Sequence, residues 1–126
     1  MRKILFPFLL LGIVSCKNKT EENFNPTPND TLVQKPEALG EEIFNGKGVC
    51  YTCHKIDTKT VGPSIREIAK IYKEKGASIV DFLQEKSDPI VDPSQYATMQ
   101  TNFAVTKNLP AEELKALEVY VMSHSK

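Results

Sequence analysis

Residues 48–55 read Gly48-Val49-Cys50-Tyr51-Thr52-Cys53-His54-Lys55. Two thiols stand three positions apart and an imidazole directly follows the second, in a chain of 126 residues with only three cysteines and two histidines. Donor atoms so scarce and so close together suit a redox pair, part of a metal site, or a point of covalent attachment. Each of these makes a demand on the rest of the sequence.

A thioredoxin-like dithiol places its C-x-x-C at the start of a helix that follows a strand, within an alternating βαβ pattern. No stretch of this chain shows the sustained apolar–polar alternation expected of strands. A structural zinc site takes four ligands, commonly as two separated pairs, and the other soft donors are Cys16 and His124, with no second pair. Covalent haem attachment is what C-x-x-C-H signals. The sulfurs of Cys50 and Cys53 would bond the two vinyl groups on one porphyrin edge. That brings His54 beneath the iron as its proximal ligand, with haem c as the cofactor.

The bulk composition restricts the partners. Sixteen basic and sixteen acidic residues leave a formal charge of zero, so nothing favours nucleic acid. The 40% hydrophobic and 25% charged content is that of one globular domain. Met1-Arg2-Lys3 is a cationic start, and Ile4 to Val14 is almost wholly apolar but shorter than the roughly 20 residues of a membrane-spanning helix. Residues 1–15 are therefore expected to be an export signal. Its end, Ile13-Val14-Ser15-Cys16, resembles the lipobox of bacterial lipoproteins, which makes Cys16 the expected lipid attachment point and first mature residue. Residues 16–35 then form a polar tether rich in Asn, Thr and Pro that cannot build a core. Residues 36–126 are the folded domain, anchored to a membrane by acyl chains and not spanning it.

From Pro36 onward the periodicity is helical, and about four helices are expected. The first opens at Pro36-Glu37 and carries Leu39, Ile43 and Phe44. A second follows Gly62-Pro63-Ser64, shows Ile65, Ile68, Ala69 and Tyr72 on one face, and stops near Gly76. The third runs from Ser78 toward Asp88-Pro89, and the last begins near Pro110 with the stripe Leu114, Leu117, Tyr120 and Val121. Between these two lies a stretch of roughly twenty residues, read as a loop that contains Asp92-Pro93 and Met99.

With these landmarks in place, the segment Pro36 to Ser123 resembles the class I, single-haem c-type cytochromes. Gly40 and Phe44 precede the C-x-x-C-H motif, Gly62-Pro63 follows it, and Met99 stands 99 − 54 = 45 residues beyond His54, ahead of a terminal helix with Leu117 and Tyr120. The resemblance implies a small all-α cytochrome c fold around one covalently bound haem. It also implies that the Pro63 carbonyl accepts the Nδ1 proton of His54, and that Gly40 lets the first and last helices cross closely. The segment after Met99 lacks the proline often found there in the family.

Elimination points to the sixth iron ligand. Met1 leaves with the signal and Met122 sits beside the packing stripe of the last helix, so Met99 is expected to ligate, with His124 as the alternative. An iron so ligated has no open position. The expectation is an electron carrier and not an enzyme, acting on no small-molecule substrate. Its partners would be transient respiratory donor and acceptor proteins at the periplasmic or other extracytoplasmic face of a bacterial membrane. A five-coordinate haem protein handling gas or peroxide would need a distal histidine or arginine, and a fixed subunit of a larger complex would use the same electron transfer. Leu39, Ile43, Ile65, Ile68, Leu114 and Leu117 are expected to wrap the haem. Lys47, Lys55, Lys59, Lys70, Lys73 and Lys75 form either a docking collar at its edge or an ordinary solvated surface.

Overall fold

Each helix forms where the sequence supplies a start, an apolar face and a stop. The computed structural model describes residues 34–126; the signal segment, Cys16 and the tether up to residue 33 lie outside the described residues. Five α-helices occur in the order α1 Pro36–Asn45, α2 Ile65–Lys75, α3 Ile79–Leu83, α4 Tyr96–Thr106 and α5 Ala111–Ser123. Single 3₁₀ turns occupy Cys50–Thr52 and Pro93–Gln95. No strand occurs among the described residues, and none of their helices is long and apolar enough to cross a membrane.

Pro36 fills the first turn of α1, where its missing N–H leaves no bond unmade. Ser64 caps α2 by accepting the Glu67 N–H on its Oγ at 3.1 Å, and the helix stops at Gly76, after which the Ala77 N–H returns to the Tyr72 carbonyl at 3.1 Å. Ser78 caps α3 through the Asp81 N–H at 3.2 Å. From α5, Glu118 adds a second cap, its Oε1 accepting the Ile79 N–H at 2.9 Å. Burial would raise the Glu118 carboxyl, but Lys115 and the N–H groups of Ile79 and Val80 outweigh it and hold the group below its ordinary value.

The core lies where α1 crosses α5. Gly40 is buried at that crossing, and a Cβ built on it would stand 2.1 Å from the Ala116 carbonyl oxygen, so only glycine permits this approach. One turn on, the rings of Phe44 and Tyr120 meet at 5.3 Å between centroids. Ile43, Leu114, Leu117 and Val121 are buried around them.

Two expectations need correction. The third helix ends at Leu83, well short of Asp88-Pro89, because Gln84 closes it and Glu85 turns into the left-handed region at φ 55°. The stretch read as a loop of about twenty residues contains α4, so there are five helices where about four were expected, and Met99 sits on a helix. The cause is that two polar residues share its inner face with Met99 and Phe103. Thr106 is fully buried and donates to the Leu83 carbonyl at 2.8 Å, while Asn102 donates to the Gly48 carbonyl at 3.0 Å. These side chains face inward only because a distant carbonyl receives them, and this breaks the apolar period by which a helix is recognised.

Candidate haem site

The Cys50–His54 motif is wound into a single tight turn. The N–H groups of Cys53 and His54 both bond the Cys50 carbonyl, at 3.2 and 3.0 Å. In such a turn residues i, i+3 and i+4 share a side, and Cys50, Cys53 and His54 all line one cavity. Entry into the turn is strained: Val49, a β-branched residue, adopts φ 55° immediately before Cys50.

His54 is fixed from two sides. Its Nδ1 lies 2.7 Å from the Pro63 carbonyl oxygen, where the ring N–H donates. The ring also packs closely on Gly62, where an added Cβ would come 2.4 Å from Cε1. Burial pushes the imidazole below its ordinary pKa, against the opposing effect of the Pro63 carbonyl. The result is a neutral ring with Nδ1 committed and Nε2 left to bind a metal. The turn is also tied to the chain just downstream of it: the Gly62 N–H and the Thr60 hydroxyl both reach the Cys53 carbonyl, at 2.9 and 2.6 Å.

The cavity measures about 360 Å³, within the range of small-molecule sites. Its wall is apolar, with Phe44, Ile65, Ile68, Phe82, Leu117 and Val121 contributing. Met99 lines it from α4, as does Tyr72 from α2, whose phenol is 3% exposed and pushed up to about 12 by burial. Of the side chains expected to wrap a haem, Ile65, Ile68 and Leu117 do line the cavity. Leu39, Ile43 and Leu114 belong to the α1–α5 core instead. His124 is not among the lining residues; it packs edge-on against Tyr120 at 5.0 Å. Met122 is packed against the core.

These residues suit a covalently held porphyrin better than the other readings. Burial pushes the Cys50 thiol up to about 11, the reverse of an activated redox thiolate. Among the described residues no three His, Cys, Asp or Glu side chains gather closely enough to form a zinc site. An apolar slot with two thiols and one oriented imidazole on its wall fits a flat, mostly hydrophobic macrocycle with a metal at its centre.

The cytochrome c family model matches residues 37–125. This chain belongs to the cytochrome c family. As a member of that family it carries one covalently bound haem c. Its relatives include cytochrome c-551 of Azotobacter vinelandii, 47% identical over 47 residues that cover 37% of this chain and 55% of the relative. Cytochrome c-551 of Stutzerimonas stutzeri is 35% identical over 71 residues, 55% of this chain and 51% of the relative. The chain thus spans about half the length of the curated relatives it matches.

The structure adds wall residues to which sequence reasoning gave no role in the site. Phe82, Tyr96 and Asn102 line the cavity, and Phe82, Tyr96 and Phe103 form an aromatic triangle with centroids 5.4 to 6.3 Å apart. The sequence signal for them is weak, because they carry a role only once α4 is recognised. Three of the lysines considered for a docking collar are paired internally: Lys47 with both oxygens of Glu113 at 2.6 Å, Lys59 with Asp92 at 2.8 Å, and Lys70 with Glu74 one turn on at 4.0 Å.

Proposed function

We propose that this cytochrome c is a membrane-tethered carrier of single electrons. Cys50 and Cys53 hold the haem, and His54 and Met99 ligate its iron. The observation that carries the reading is that these four side chains line one apolar cavity. When bound, the haem supplies a one-electron iron couple. The protein's part is to fix the geometry. Pro63 and Gly62 hold the His54 ring in one tautomer and one plane, so that Nε2 is presented with little reorganisation. Met99 contributes a soft thioether that favours the reduced metal, and the apolar wall disfavours the added charge of the oxidised one; both raise the potential. With His54 and Met99 both holding the iron, no ligand position would remain for a substrate. The lining contains neither an arginine nor a second histidine among the described residues, and a gas- or peroxide-handling site would use one of these.

Cys16 bears the lipid, and residues 16–35 tether the domain to the extracytoplasmic face of a bacterial membrane. Tethering raises the effective concentration of respiratory donor and acceptor proteins, so weak and fast contacts suffice. The test is a visible spectrum and intact mass of protein made in a host competent for haem attachment and lipidation. A pyridine haemochrome of c type, a sulfur-to-iron band near the red end of the spectrum, and the mass of an acylated chain beginning at Cys16 are expected. Met99→Ala should keep the haem but lose the red band and lower the potential. Pigment extracted by acid-acetone, or a red band that survives Met99→Ala, contradicts the assignment.

A further inference from the structure

Setting His54 aside, one charged side chain belongs to the cavity wall among the described residues, and it is Asp92. Its carboxylate does not stand alone, because Lys59 supplies the opposite charge. Its Nζ donates to Asp92 Oδ2 at 2.8 Å, while the Ser94 hydroxyl donates to Oδ1 at 2.5 Å. The two charges sit in different surroundings: the Asp92 side chain is 16% exposed and that of Lys59 is 59% exposed. The pair also bridges the two halves of the site. Lys59 stands between His54 and Pro63, and Asp92 leads through the 3₁₀ turn Pro93–Gln95 into α4, which carries Met99. The neighbouring carboxylate Asp57 is taken by Arg66, with 2.6 Å between charged atoms, which leaves Lys59 as the cation on Asp92.

We propose that Lys59 and Asp92 act as positioning residues that set the reduction potential of the haem from outside its ligand set. Asp92 places a negative charge in the wall, and Lys59 cancels it. The inference rests on the haem occupying this cavity, and not on Met99 being its ligand. As an ordinary surface ion pair it would contribute little to stability and nothing to the potential. Position makes the difference. The Asp92 charge, 16% exposed on the cavity wall, is screened less than its 59% exposed mate. Removing Lys59 uncovers the carboxylate, which stabilises the more positive oxidised centre. Removing Asp92 deletes that effect and leaves a screened cation.

The experiment is redox titration of the purified holoprotein and its Lys59→Gln, Asp92→Asn, double and Lys59→Arg variants, with melting temperatures read alongside. Lys59→Gln should shift the reduction equilibrium at least about threefold toward the oxidised form, ~28 mV at 59 mV per decade for one electron. Asp92→Asn should shift it the other way, the double variant should return close to wild type, and Lys59→Arg should stay there. Single-variant shifts of the same sign, or a Lys59→Gln shift below that size, overturn the proposal. Should Lys59→Gln yield no holoprotein, the sign for Asp92→Asn decides alone. A wild type without the sulfur-to-iron band would remove Met99 as ligand and still give potentials to compare, so the two failures show in different measurements.

Discussion

The two walls of the haem cavity are built by different means. The His54 wall is held mainly by backbone close in sequence: the motif turn closes on the Cys50 carbonyl, and Gly62 reaches back to Cys53. The loop then locks onto α2, with the Ile65 and Arg66 N–H groups bonding the Lys55 and Ile56 carbonyls at 2.9 and 3.0 Å. The Met99 wall is held by side chains that reach across the fold. Thr106 bonds Leu83, Asn102 bonds Gly48, Lys107 pairs with Glu85, and the aromatic triangle fixes α4 against α3. A wall tied by short-range main-chain bonds is difficult to open without unfolding its neighbours. One tied by a few side chains opens as a unit at lower free energy.

The largest expected effect contrasts Phe103→Ala with Phe44→Ala. Both rings are buried, and each truncation should cost about 3–5 kcal/mol. Only the first removes a corner of the aromatic triangle, so it should free the α4 amides for hydrogen exchange and weaken the sulfur-to-iron band below the global melt. Phe44→Ala should lower both transitions together. Equal behaviour of the two variants would erase the difference between the walls.

Tyr72 lines the cavity from α2, and its phenol tests how dry the site is. Its folded pKa of about 12 lies above the ordinary value of 10.0, so the folded state holds the proton longer than the unfolded chain does. This contribution to stability is fully present below about pH 10 and is lost as the pH rises toward about 12. After allowance for solvent screening the loss amounts to roughly 1–2 kcal/mol. Urea unfolding at pH 9 and pH 11.5 should show the loss in the wild type, and Tyr72→Phe should lack it.

A smaller pair separates long-range from local ties. Thr106→Val leaves the Leu83 carbonyl buried without its donor and should cost about 1–3 kcal/mol, again with early exchange of α4. Ser64→Ala removes only the cap of α2 and should cost about 1 kcal/mol, with the Met99 wall undisturbed. If both variants loosen α4 to the same extent, the Met99 wall is not an independent unit.

Legibility in the sequence divides along the same line. Four helix starts, at Pro36, Ser64, Ser78 and Pro110, are readable because a cap or a proline acts within its own turn. The close crossing at Gly40 is implied by family resemblance. The α4 helix is not readable: Asn102 and Thr106 look like surface residues until Gly48 and Leu83, distant in the chain, are seen to receive them. The internal pairing of Lys47 and Lys59 is hidden for the same reason, since Glu113 and Asp92, which neutralise them, lie 66 and 33 residues away.

By itself the sequence determined the all-α class, the clustering of two sulfurs and an imidazole, and the order of the landmarks around them, because local spacing and short-range propensity set each of these. Only the tertiary structure decided which apolar side chains face the cavity, that Met99 sits on a helix, and that Asp92, among the described residues, is the carboxylate in the wall. Those outcomes depend on contacts between residues tens of positions apart, which no local pattern records.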